Sequence, residues 1–159
     1  MSVETEVQFL PHAYHESEIR PYHAAGADPV SENSVPRTTK TILICEDDQN
    51  LRQLIRVVIG DEYSFVEAGD GHAAVELARA HRPDLIILDL MLPRLSGLEV
   101  LDRLRHEFPV GETHIIVMSA WTHADNAALS AGADRFIPKP FEAEQLTAIV
   151  AEILREPDA

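Results

Sequence analysis

Two short apolar runs in this chain end in acids. Ile42-Leu43-Ile44-Cys45 is followed by Glu46, Asp47 and Asp48, and Leu85-Ile86-Ile87-Leu88 is followed by Asp89. Runs of this kind, apolar on both faces, read as buried strands of a parallel sheet. An acid at the tip of such a strand stands at the rim of the sheet, where a doubly wound fold keeps its binding site. Carboxylates gathered there repel one another and lose hydration, so a positive group is expected among them. A hard divalent cation with oxygen ligands suits that place, Mg²⁺ being the usual one. Two further strand ends add Ser119 and Lys139, the latter followed by Pro140-Phe141. Two acids for a cation, one acid as acceptor, a hydroxyl and an ammonium make a set suited to handling a phosphoryl group. A carboxylate that attacks phosphorus needs its own charge and the phosphoryl charge offset, which the cation and the lysine can do. The hydroxyl can donate to a phosphoryl oxygen.

The elements that must hold these residues follow from alternating patterns of short apolar runs and helical periodicity. The first strand is expected at about 41–46. A helix over 49–59 follows, with Leu51, Leu54, Ile55 and Val58 on one face. Asp48, one past the acidic pair, fits the cap of that helix. After a break at Gly60-Asp61-Glu62 a second strand is expected at about 64–67. Asp70-Gly71 opens the second helix, with Ala74, Leu77 and Ala78 inward, and His81-Arg82-Pro83 ends it. The third strand spans 84–89, residues 91–97 form a loop, and Leu98, Leu101 and Leu104 mark the third helix. A fourth strand over 114–119 leads to a helix at about 123–131 that stops at Gly132. A short strand over 135–137 precedes a last helix from 142 to about 154, with Leu146, Ile149, Val150 and Ile153 at helical spacing. Five such β-α units imply an α/β fold, a doubly wound parallel sheet with helices on both faces.

Composition narrows the functional classes. The 159 residues suit one domain with a tail, and a 45% apolar content is enough for a full core. The net charge of −14, with no cluster of Lys and Arg, argues against direct binding of nucleic acid or of an anionic membrane. Cys45 is the one cysteine, so no intrachain disulfide can form, and it is expected to pack as a small hydrophobe. No export signal and no run of membrane-spanning length is visible, so a cytoplasmic location is expected. Residues 1–39 differ from the rest, with four prolines (Pro11, Pro21, Pro29, Pro36) and no periodicity over 24–39. They read as a flexible extension before a domain at 40–156. His12, His15 and His23 lie there without a Cys or paired acid to complete a metal site.

Four segments together resemble the response-regulator receiver domain of two-component signalling. They are ILICEDDQNLR (42–52), DLIILDLMLPRLSGLEVL (84–101), IIVMSA (115–120) and GADRFIPKPF (132–141), in order and at matching separations. The resemblance covers residues 41–155. It implies a flavodoxin-like sheet of strand order 2-1-3-4-5, in which strands 1 and 3 are neighbours and bring Glu46, Asp47 and Asp89 together. It makes Asp89 the phosphoacceptor, with Mg²⁺ as cofactor. Glu46 and Asp47 become the acidic pair, Asp47 favoured as direct ligand, and the Met91 backbone carbonyl a further ligand. Ser119 takes the hydroxyl position, Lys139 the lysine position before a cis Lys139-Pro140 bond, and Phe136 the position of the switch aromatic. Singly, Ser119 is an ordinary turn residue and Phe136 ordinary core. In combination, structural need does not place Asp, Ser and Lys on three strand ends. Trp121, large for a rim position, either shields the phosphorylated site or faces a partner.

The resemblance also implies what the domain does. It is not an enzyme beyond its own phosphorylation and dephosphorylation. It takes a phosphoryl group from a sensor histidine kinase or exchanges it with a histidine phosphotransfer protein. With only Arg155 to Ala159 after the last helix, a stand-alone regulator is expected, its output passing to a downstream protein over the face of the fourth helix, fifth strand and fifth helix. Two other readings fit the residues less well. A pseudo-receiver that is never phosphorylated is disfavoured by the complete set Glu46, Asp47, Asp89, Ser119 and Lys139. A phosphatase of the haloacid dehalogenase type needs a second Asp two residues after its nucleophile, where this chain has Met91.

Overall fold

A computed structural model of the chain describes residues 39–109 and 112–155. The elements are β1 (Thr41–Cys45), α1 (Gln49–Ile59), β2 (Ser64–Ala68), α2 (Gly71–His81), β3 (Leu85–Asp89), α3 (Gly97–Glu107), β4 (His114–Ser119), α4 (Ala124–Ser130), β5 (Arg135–Pro138) and α5 (Ala143–Leu154). The strands form one parallel sheet in the order β2-β1-β3-β4-β5. Every strand boundary lies within a residue of its sequence expectation. The flexibility expected of residues 1–39 falls almost wholly outside the described residues, as does the end of the domain at 156.

The period-two alternation of a strand divides the core into two layers. Leu43, Cys45, Ile86, Leu88, Ile115 and Val117 face α2, α3 and α4, which answer with Ala74, Val100, Leu101, Leu104 and Ala128. Ile42, Ile44, Leu85, Ile87, Ile116 and Met118 face α1 and α5, which supply Ile55, Ile59, Leu146, Val150 and Leu154. Both layers exclude water, which is why the strands are apolar on both faces. Cys45 is buried in the first layer, and burial pushes its thiol pKa well up, leaving an inert neutral hydrophobe.

Leu54 departs from expectation. It was placed on the inward face of α1 but is 50% exposed. Ile55 and Ile59 make the buried contact, with Leu51 and Val58 only partly covered. Leu54 instead lines an open apolar groove with Leu51, Val58, Pro140 and Phe141, next to Lys139.

Local signals fix where the helices begin and end. Asp48 caps α1 by accepting from the Asn50 and Leu51 N–H groups. Asp70 caps α2 through Ala73 N–H, and Ser96 with Glu99 closes a capping box on α3. Gly97 has a separate task. A Cβ there would lie 2.3 Å from Leu90 Cα and 2.5 Å from the Asp89 carbonyl oxygen. Only glycine lets α3 start this close to the end of β3. Among the described residues no helix is long and apolar enough to cross a membrane.

Candidate functional site

The register of the central strands builds the site. Cys45 pairs with Leu88, so Glu46 and Asp89, each one step on, emerge side by side from β1 and β3. Both are buried polar residues, at 3% and 5% exposure, while Asp47 is exposed. One carboxylate oxygen from each of Glu46, Asp47 and Asp89 lies within 4.8 Å of the other two. Three hard oxygen donors at this separation fit a small divalent cation that keeps several waters.

Lys139 reaches the same place from the end of β5, just before the cis Lys139-Pro140 bond. Its Nζ donates to Glu46 Oε2 at 2.5 Å and to Asp89 Oδ2 at 2.8 Å. The other oxygens are also engaged: Glu46 Oε1 accepts from Asp48 N–H and Asp89 Oδ1 from Met91 N–H, both at 3.0 Å. Burial is the main force pushing the Glu46 carboxyl above the usual carboxylate range, against the pull of Lys139; neighbouring Asp47 raises it further. Burial alone would lower the Lys139 amine, yet its bonds to Asp89 and Glu46 outweigh this and hold it above the ordinary lysine value.

Ser119 ends β4 at 1% exposure, its Oγ accepting from Trp121 N–H at 3.1 Å. Its carbonyl accepts from Lys139 N–H at 2.9 Å, which ties the β4 and β5 ends together. Phe136 is half-buried opposite Val117 and packs on the α2–α3–α4 layer. Trp121 and Met91, 55% and 63% exposed, flank an open depression with Leu90, Ala120 and Thr122. The five charged or hydroxylic residues singled out in the sequence thus stand on adjoining strand ends. One neighbour escaped that reading. Arg52, in the first turn of α1, folds back onto the Glu46 and Asp47 carbonyls. An arginine four residues after a capping Asp is a common helix residue, and its direction could not be told from local pattern.

A parallel α/β sheet with three acids, a serine and a lysine at its strand tips defines a class. The profile of the response regulator receiver domain matches residues 42–151. The chain belongs to that family, the receiver domains of two-component systems. Response regulator ArlR of Staphylococcus haemolyticus is 42% identical over 117 residues, 72% of this chain and 52% of that protein. Response regulator MprA of Mycolicibacterium vanbaalenii is 39% identical, over 72% of this chain and 50% of that protein. The chain spans about half the length of the curated relatives it matches. Among solved structures, a response regulator from Chloroflexus aurantiacus superimposes with TM-score 0.67 at 29% identity, over 74% of this chain and 98% of that one. The receiver domain of the Francisella response regulator 1452 gives 0.66 at 28%, over 72% and 96%. Receiver domains generally bind Mg²⁺ in an acidic pocket, and Glu46, Asp47 and Asp89 form one here.

Proposed function

We propose that Asp89 accepts a phosphoryl group from the phosphohistidine of a sensor histidine kinase or histidine phosphotransfer protein. The observation that carries this is the position of the Asp89 carboxylate, buried at the end of β3, 2.8 Å from Lys139 Nζ and clustered with Glu46 and Asp47. A carboxylate oxygen of Asp89 bonds to phosphorus as the P–N bond to the donor imidazole breaks. Hydrolysis of the resulting acyl phosphate returns the carboxylate and inorganic phosphate, which limits the lifetime of the signal.

Each remaining residue has a task in this reading. Asp47 would hold Mg²⁺ most directly, with Glu46 and Asp89 completing the acidic set, since the oxygens of those two already take hydrogen bonds from Lys139, Asp48 and Met91. The Met91 backbone, held against Asp89 by its N–H, would supply a carbonyl ligand. Bound Mg²⁺ supplies charge neutralisation on the transferring phosphoryl oxygens. Lys139 adds a second positive charge, and the Ser119 hydroxyl donates to a phosphoryl oxygen once Asp89 is modified. Phe136 then turns inward, and the α4–β5–α5 face presents a changed surface to a downstream protein. Support for α4 as the moving part is its light anchoring. It has seven residues, starts at His123 with φ 66°, and has no side-chain cap. With a net charge of −14, direct contact with nucleic acid is no part of this proposal, and neither is membrane insertion.

Labelling with acetyl phosphate and Mg²⁺ tests the assignment. Wild type should be labelled and Asp89→Asn should not, with the circular dichroism of the two alike. Undiminished labelling in a folded Asp89→Asn protein sinks the proposal in favour of a receiver fold used only for binding.

A further inference from the structure

The geometry points to Arg52 as the residue that positions the acidic pair for the cation, with Glu67 cancelling the charge that Arg52 would otherwise set against that cation. This rests on the Mg²⁺ reading above.

Arg52 lies in the first turn of α1, its N–H donating to Asp48 carbonyl at 3.0 Å. Its side chain, only 16% exposed, doubles back under the β1–α1 loop. Nη1 donates to the Glu46 carbonyl at 2.5 Å and lies 3.4 Å from the Asp47 carbonyl. Nε donates to Glu67 Oε2 on β2 at 3.2 Å. The planar fork thus binds loop and neighbouring strand at once, which a lysine ammonium on a flexible stem cannot reproduce. The grip matters most for Asp47. Glu46 is held through its own carboxylate by Asp48 N–H and Lys139, and Asp89 by Met91 N–H and Lys139. Asp47 is exposed, so the direction of its carboxylate depends on the backbone that carries it.

A guanidinium next to a cation site carries an electrostatic cost, because like charges repel. Glu67 meets it, pairing with Arg52 and also with Arg56 Nη1 at 3.0 Å. Charge and positioning therefore predict opposite signs. If Arg52 acted as a charge alone, its removal would tighten Mg²⁺ binding. If it positions the loop, removal loosens the binding.

Calorimetric titration of MgCl₂ into the full chain decides between them. Arg52→Gln should weaken Mg²⁺ binding by about tenfold, the usual scale for a residue that orients metal ligands. Arg52→Lys, which keeps the charge and loses the fork, should weaken it by about threefold. Glu67→Gln should weaken it as well. Arg79→Gln, which removes a positive charge from the Arg79–Glu107 pair instead, should leave it unchanged. At saturating Mg²⁺, acetyl phosphate should label Asp89 in the Arg52 variants at the wild-type rate, since the reacting groups are intact. A purely structural role would lower the melting temperature and leave both the affinity and this recovery unaltered. Affinity equal to or tighter than wild type in folded Arg52→Gln overturns the inference. Should Arg52→Gln fail to fold, unchanged affinity in Arg52→Lys overturns it equally. Absence of Mg²⁺ binding by the wild type would defeat the underlying Mg²⁺ reading, whereas binding that Asp47→Ala abolishes and Arg52 variants share defeats the Arg52 inference alone.

Discussion

At the strand ends Lys139 bridges the two buried carboxylates of the site. Among the described residues it is the one cation touching both of them, Glu46 and Asp89. Because their hydrogen bonds outweigh its burial, the folded state holds the lysine proton more tightly than the unfolded chain does. Its stabilising contribution is therefore complete below the ordinary lysine value, about pH 10.4, and is lost as pH rises through the raised folded value. Lys139→Ala should leave two acids facing each other unpaired. The site opens to solvent on the Asp47 side, so the expected loss at neutral pH is about 1–3 kcal/mol, below that of a fully enclosed pair. Urea unfolding measures it. Millimolar Mg²⁺ should restore part of the loss by binding the folded state, and mild acid should restore part by protonating Glu46, whose carboxyl burial already raises. A variant as stable as wild type without Mg²⁺ would show that Lys139 compensates nothing.

Helix ends decide how rigidly the loops around the site are held. α2 and α3 begin with side-chain caps, whereas α4 has none. Backbone N–H groups of Ala73 and Ser96 hold the Asp70 and Glu99 carboxyls below the usual carboxylate range. A depressed acid stabilises the fold above its unfolded value and loses that contribution as pH falls through the folded one. The first turns of α2 and α3 should accordingly lose hydrogen-exchange protection below about pH 4, ahead of the sheet. Ser96→Ala, which removes one half of the α3 capping box, should cost about 1 kcal/mol in chemical denaturation. It should also loosen the loop from Met91 to Ser96, which begins with the Met91 N–H bonded to Asp89. No change in stability would mean that the close seating of Gly97 on β3 suffices to start α3.

For the molecule as a whole, the proposed modification at Asp89 would have to reach a distant surface through a path with two arrangements. Ser119 and Phe136 lie on β4 and β5, next to the weakly anchored α4, and Phe136 is only half-buried. Beryllofluoride mimics a phosphoryl group on aspartate. Its addition should shift amide resonances over 121–131 and 135–144. The middle of α1, with Ile55 and Ile59, should stay still. The bias such a switch transmits to a partner is limited to about 1–3 kcal/mol. Fixed resonances with Asp89 fully loaded would make the protein a phosphoryl relay instead of a conformational switch.

The fold class and the chemical inventory were legible in the chain because both are written locally. Strands apolar on both faces could belong only to a covered parallel sheet, and Asp48, Asp70 and Gly132 marked helix ends through bonds that span a few residues. The acids, the serine and the lysine were recognisable because polar residues at the tips of such strands have no role in the core. Leu54 shows where periodicity stops being informative. It lies on the apolar stripe of α1, but how much of that stripe the sheet covers depends on how the helix sits, and Ile55 takes the buried place. The partners of Lys139 lie 93 and 50 residues away, and Arg52 meets Glu67 across the rest of α1 and the loop that follows it. Only the packed sheet, which fixes the order β2-β1-β3-β4-β5 and the Cys45–Leu88 register, decides which charges meet. Local preference chooses the strand and the helix, while the balance of charge at their ends is set by distances that exist only after folding.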